Sequence, residues 1–247
     1  MDESIGREFI RKTRHHEVPV SDQKLGLPQP PLEMAYDATA TLIDLPDQEE
    51  VIFPAVDVRD AIERRTTVRT YADKPLTLHE LTFLLWLTQG VKQVSARPAT
   101  LRTVPSAGAR HAFETFLLVN KVKGLKPGLY RYIALEHALI ELEVSLDLNS
   151  KITDACEGQK QVANSAVTFF WAAVVERMTW RYPERGYRYL FLDAGHVCQN
   201  LYLAADVIQC GVCPIGAFDD LKLNQALNLD GDDQFVAYAA SVGKKAE

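Results

Sequence analysis

The run AVTFFWAAVVE (166–176) is the strongest constraint on what this chain can fold into. Before Glu176 its only polar residue is Thr168, so neither helical nor strand periodicity leaves it a polar face. Such a run is buried, and TFLLVN (115–120) reads the same way. Both are predicted as buried strands, although a buried helix also satisfies the pattern at 166–176. GLYRYI (128–133) and HALIEL (137–142) look like a hairpin, and QFVAYAASVG (234–243) like a last strand.

Helical patterns fall between these strands. DVRDAIERR (57–65) reads as a short helix. TLHELTFLLWLTQGV opens with a capping box, Thr77 to Glu80, and lines up Leu78, Leu81, Leu84, Leu85 and Trp86, with Gly90 as its stop. RYLFLDAGHVCQNLYLAADVIQ (188–209) predicts a long, largely apolar helix, and LKLNQAL a short one. KQVSARPATLRTVPSAGAR (92–110) predicts a long loop. Helices alternating with hairpin-like strands predict an α+β fold rather than a purely parallel sheet.

Residues 1–55 are rich in proline and charge and show little periodicity, predicting an irregular N-terminal arm laid on the body or on a partner. Residues 56–247 form the predicted domain. With 27 Lys and Arg against 33 Asp and Glu, the net charge of −6 argues against a nucleic-acid partner. No apolar run reaches the ~20 residues a membrane span needs. Charges stand where a signal peptide needs its apolar segment, so a soluble, cytoplasmic protein is expected.

Three short stretches carry candidate chemistry. In ERRTTVRTY, residues Arg65, Thr67 and Arg69 alternate and point the same way if the segment is extended. Two guanidinium groups and a hydroxyl on one side suit an anion, and a solvated basic patch gives the same spacing. VPSAGAR (104–110) is a loop of small residues that lets backbone approach a flat ligand, or an ordinary surface loop. PIGAF (214–218) reads as a strand end followed by a turn. Just before it stands Cys210-Gly211-Val212-Cys213. Cys210 falls at a helix C-terminus, where the dipole disfavours thiolate, and Gly211 reads as the helix stop. No second C-x-x-C or paired His accompanies it, so no metal site is expected and the cysteines read as packing.

In this order, RRTTVRTY, RTVPSAGARHAFE, VNKVKGLKPGLYRY, RYPERGYRYLFLDAGHVCQNLYLAA and GAFDD resemble the nitroreductase family, and more closely its SagB-type dehydrogenase branch. The resemblance implies a central mixed or antiparallel sheet flanked by helices, in an intertwined homodimer with FMN at the subunit interface. It implies that Arg65, Thr66, Thr67 and Arg69 grip the FMN phosphate and pyrimidine edge, with Lys244 and Lys245 completing the phosphate site. Pro105, Ser106, Ala107 and Gly108 correspond to a loop covering the flavin from the partner chain, and Pro214, Ile215, Gly216 and Ala217 to the loop facing it near N5. A cation such as Arg69 beside the N1–C2=O edge would stabilise reduced flavin. The implied activity is ping-pong hydride transfer from NAD(P)H to a quinone or nitroaromatic. The SagB-type alternative oxidises an azoline or another saturated substrate, with oxygen reoxidising FMN. A flavin-binding scaffold without turnover is a third reading. Azoline-forming members carry a Lys-Tyr pair where this chain has Arg181-Tyr182, so Tyr182 alone is left to relay a proton.

Overall fold

The computed structural model describes residues 4–246. In chain order it contains α1 (Ile5–Lys12), α2 (Asp22–Leu25), β1 (Leu42–Asp44), α3 (Val58–Arg64), α4 (Leu78–Gln89), β2 (Val91–Val94), β3 (Thr100–Arg102), β4 (Phe113–Val119), β5 (Gly128–Ile133) and β6 (Ala138–Glu143). These are followed by α5 (Leu148–Ala155), α6 (Lys160–Asn164), β7 (Val167–Val174), α7 (Val175–Thr179), α8 (Gly186–Val207), β8 (Cys210–Ile215), α9 (Asp220–Ala226) and β9 (Gln234–Lys244). Seven strands form one sheet in the order β1-β6-β5-β4-β7-β9-β8, with every neighbouring pair antiparallel. The fold is α+β, one antiparallel sheet flanked by helices.

The run at 166–176 is a strand because helices cover both faces of the sheet. Phe169, Trp171 and Ala173 of β7 pack toward Leu81, Leu84 and Leu85 of α4 and Val197 and Leu201 of α8. Phe170 and Ala172 point the other way, toward Leu148 and Ile152 of α5 and Leu223 and Leu227 of α9. Each successive side chain is therefore buried, and the polar alternation of a half-exposed strand is missing. The strand stops at Val174 and turns directly into α7.

Local signals hold where backbone and side chain agree. The Thr77–Glu80 capping box forms at the start of α4, and Gly90 follows its last residue. Gly90 is needed for close approach rather than for a left-handed turn: its φ is −56°, and a Cβ there would lie 2.5 Å from the Trp86 ring. The long helix ends at Val207, because Gln209 turns left-handed at φ 56°. Gly211 is thus no helix stop. It lies inside β8, opposite Gly243 of β9.

Two further expectations are corrected. The stretch 92–110 is not a continuous loop: β2 and β3 pair as an antiparallel hairpin closed by Ser95 N–H donating to Ala99 O at 2.9 Å. The arm is not irregular throughout, since it contributes α1, α2 and the edge strand β1, which pairs with β6. A buried ion pair holds it down. Glu114 of β4 and Arg177 of α7 meet at 2.6 Å, with side chains only 2% and 4% exposed. Glu114 also accepts from Met34 N–H at 2.7 Å, and Arg177 Nε donates to Pro31 O at 2.8 Å. Arg131 donates to the Met34 and Ala35 carbonyls, and Glu33 accepts from Ala134 N–H.

Removing one partner of such a pair leaves a buried charge uncompensated. Arg177→Ala should lower unfolding stability by about 3–5 kcal/mol in urea titration. A loss under ~1 kcal/mol, typical of exposed pairs, would contradict this role for the pair.

Candidate active site

After α3 the chain runs extended along the edge of β8. Thr67 bridges Val212 in parallel, Val68 N–H donates to Val212 O at 3.0 Å, and Ala72 N–H donates to Lys244 O at 2.9 Å. Two facing glycines make the floor for this segment. A Cβ on Gly211 would lie 2.5 Å from Val68, and one on Gly243 would lie 2.6 Å from Tyr71. Val68 thus points inward, and the alternation turns Thr67 and Arg69 outward, as their spacing predicts.

The cations around this edge separate into two groups. Arg64 and Lys245 share Asp206 of α8, at 2.8 and 3.0 Å. Lys244 binds Glu80 and donates to Ile208 O at 2.9 Å, so its ammonium is committed inside the fold. Among the described residues neither Arg65 nor Arg69 has a carboxylate partner. Arg65 lies 4.9 Å over the Tyr202 ring, and the Tyr202 hydroxyl meets Thr67 Oγ1 at 2.7 Å. Thr66 is exposed beside them.

β8 leads out of this edge. Pro214 is half-buried, while Gly216 and Ala217 are exposed where the chain turns toward α9. The side chain of Ile215 instead packs in the core with Leu223 and Phe170, so only its backbone can face a ligand. The Ala217 carbonyl accepts from Gln159 Nε2 at 2.7 Å. All four cysteines are buried and unpaired. Burial pushes the Cys210 thiol up to about 12, and it raises Cys213 against the pull of Arg69.

The PSAG loop stands toward the other end of α8. Its Ala107 N–H donates to both Asp193 oxygens at 3.2 Å, and Ser106 Oγ accepts from His111 N–H at 2.9 Å. These bonds hold a left-handed path: Gly108 adopts φ 56° freely, whereas Ala109 and His111 are strained at φ 54° and 43°. Pro105, which precedes the loop's turn, is exposed. A Cβ on Gly108 would lie 2.5 Å from the Tyr182 hydroxyl and 2.9 Å from Arg181 Nε. Tyr182 packs edge-on against Tyr189 of α8 at 4.8 Å. Burial, then the charges of Arg102 and Arg110, push the His111 imidazole down to about 3, so it is neutral.

Tyr189 and Tyr202 are about 20 Å apart along the helix. One chain therefore gathers Arg65, Thr67, Arg69 and the end of β8 at one station, and Tyr182 with the PSAG loop at another. Arg69 and Tyr182 are not brought together within it. Asp193 was not singled out by its motif. The available signal was a carboxylate on the apolar face of a buried helix.

Both stations stand on one fold, and the comparisons name its class. The pattern described as "Nitroreductase family" matches residues 62–244. A protein of Methanocaldococcus jannaschii named as a nitroreductase is 33% identical over 205 residues, covering 83% of this chain and 97% of its own. The trifolitoxin-processing protein TfxB of Rhizobium leguminosarum bv. trifolii is 30% identical over 133 residues, covering 52% of this chain and 36% of its own. A structure from Anabaena variabilis named as a nitroreductase superposes with a TM-score of 0.65 at 24% identity, covering 87% of this chain and 45% of that one. This chain thus spans less than half the length of the last two. The protein is an oxidoreductase, and it belongs to the nitroreductase family. No helix among the described residues is long and apolar enough to cross a membrane.

Raised thiol pKa values leave little thiolate at pH 8, and burial blocks reagent access. The native protein should react with less than one equivalent of a disulfide reagent at pH 8, and with four after unfolding in urea. Rapid modification of Cys210 or Cys213 in the native protein would contradict their assignment as packing.

Proposed function

We propose that the chain is an FMN-dependent oxidoreductase that works as a homodimer, taking hydride from NAD(P)H and passing it to a flat electrophile such as a quinone or nitroaromatic. The observation that supports this most is the pair of arginines, Arg65 and Arg69, that flank Thr67 without any carboxylate partner among the described residues, while their neighbours Arg64 and Lys245 share Asp206 and Lys244 pairs with Glu80. An unpaired guanidinium pair beside hydroxyls fits a bound phosphate and an electron-rich ring edge. In this reading Arg65, Thr66 and Thr67 hold the phosphate, and Arg69 lies beside the ring edge that gains charge on reduction. Backbone at Pro214 to Ala217 faces the ring. Pro105 to Gly108 of the partner subunit's loop close the site, which accounts for the distance between the two stations within one chain. Lys245 reaches the phosphate only by leaving Asp206, and Lys244 only by leaving Glu80. FMN, when bound, supplies the two-electron hydride chemistry. A cytoplasmic location accords with this use of nicotinamide.

A second reading is favoured by the likeness to TfxB, whose name describes toxin processing. There the flavin would oxidise a heterocycle or another saturated group on a modified peptide, with oxygen as final acceptor. Arg181 weighs against it, because a guanidinium stays charged and cannot serve as a base.

Reconstituted protein should be yellow and bleach on anaerobic addition of NADH or NADPH. Fast bleaching supports the first reading, and slow bleaching with fast reoxidation by oxygen supports the second. Colourless protein after reconstitution contradicts both. Arg65→Ala should weaken FMN binding by about 1.5–3 kcal/mol in fluorescence titration, the value of a charge-assisted contact. Unchanged affinity would remove Arg65 from the site.

A further inference from the structure

The arm, the β2–β3 hairpin and the PSAG loop line an open cavity of about 500 Å3. Its lining includes Gln23 and Gln29 of the arm, Arg97 at the hairpin tip, and Gly108, Arg110 and Arg181. Three arginines line this space, and no carboxylate does, in a chain whose net charge is −6. A second cavity of about 370 Å3 shares Gln23 and Arg181 with the first and is lined by arm residues between His15 and Lys24 and by Arg185, and no acidic residue lines it either.

The two inner arginines are held in place rather than left loose. Arg110 is only 9% exposed, lies 5.3 Å over the Trp180 ring, and donates from Nε to Gly108 O at 3.1 Å. Arg181 lies 5.6 Å over the Tyr182 ring and against Gly108, where any side chain would collide with it. Among the described residues neither has a carboxylate partner. Burial and then the charge of Arg181 lower the proton affinity of Arg110, so the two guanidinium groups repel each other. Trp180 also carries the arm. Its Nε1 donates to Leu27 O at 3.0 Å, and its carbonyl accepts from Gln23 N–H at 2.9 Å. Fixing like charges side by side under a cover is unfavourable alone and becomes favourable when an oxyanion sits between them.

We propose that this cavity is an oxyanion receptor, in which Arg110 and Arg181, with Arg97 at the rim, hold a carboxylate or phosphate of the molecule that exchanges electrons beside the PSAG loop. This rests on the reading that the loop borders a flavin. The oxyanion has two possible sources, a carboxylate on the electron acceptor and the 2′-phosphate that distinguishes NADPH from NADH. Arg181 then has a use that a lysine base would not serve: it stays charged, and it presents two parallel donors to a planar anion.

The test measures dissociation constants by calorimetry on the full chain, with and without FMN, for 4-nitrobenzoate against 4-nitrobenzamide and for NADP+ against NAD+, which carry the same phosphate difference but do not reduce the flavin. The wild type should prefer the more anionic member of at least one pair by tenfold or more. Preference within the first pair assigns the acceptor carboxylate, and preference within the second the donor phosphate. In Arg110→Gln and Arg181→Gln that ratio should fall to about one. Arg181 is only half-buried, so its variant remains informative if the Arg110 variant does not fold. A wild-type ratio near one for both pairs overturns the proposal, as does a ratio that survives in the Arg181 variant. Protein that binds FMN yet shows no preference leaves the flavin reading intact and removes the receptor. Protein that shows the preference but binds no FMN does the reverse.

Discussion

The ion pair between Glu114 and Arg177 is the interaction on which the rest of the site end depends. Two charges leave water, and the low dielectric that strengthens their attraction also penalises each one. They are tolerated because both also bond the arm backbone at Met34 and Pro31. The same contact joins a central strand, the helix after β7, and a segment 80 or more residues away in sequence. Since α7 leads directly to Trp180, Arg181 and Tyr182, the pair sets where those side chains stand. The arm that roofs the arginine cavity is fastened by the same bonds.

At the opposite end of α8 the organising constraint is steric. Gly211 and Gly243 face each other across β8 and β9 and let Val68 and Tyr71 lie flat on the sheet edge. That contact orders the segment carrying Arg65 and Arg69. Five cations gather there, and electrostatics divides them: three pair with Asp206 and Glu80, and Arg65 and Arg69 have no carboxylate partner among the described residues. The C-x-x-C of β8 belongs to the scaffold. Its thiols are buried and raised in pKa, and Gly211 between them serves the sheet edge rather than a helix end.

Features decided within one helical turn or by a run of apolar side chains were legible in the sequence. The Thr77–Glu80 box, the buried strands and the long helix all follow from local pattern. What was not legible depends on partners distant in sequence. The arm looks irregular because its order comes from bonds such as Trp180 Nε1 to Leu27 O, which leave no periodicity in its own residues. The motif alone made Lys244 equivalent to Lys245, and only the fold shows that Glu80 holds it. Ile215 shared a motif with Gly216 and Ala217, yet strand alternation turns its side chain into the core. Arg110 and Arg181 drew no notice as a pair because 71 positions separate them and the left-handed path through Gly108 brings them together.

The central claim is that one flavin site draws Arg65 from one subunit and the PSAG loop from the other. It is tested by mixing two variants, Arg65→Glu and Gly108→Val, the second of which forces a side chain into φ 56° and onto Tyr182. Each homodimer should lose FMN while keeping its far-ultraviolet circular dichroism. In the mixed dimer one site collects both defects and the other is intact, so refolding the variants together should restore about one FMN per heterodimer. If both halves of the site came from a single chain, every chain in the mixture would remain defective. No recovery of FMN by isolated heterodimers would contradict the account.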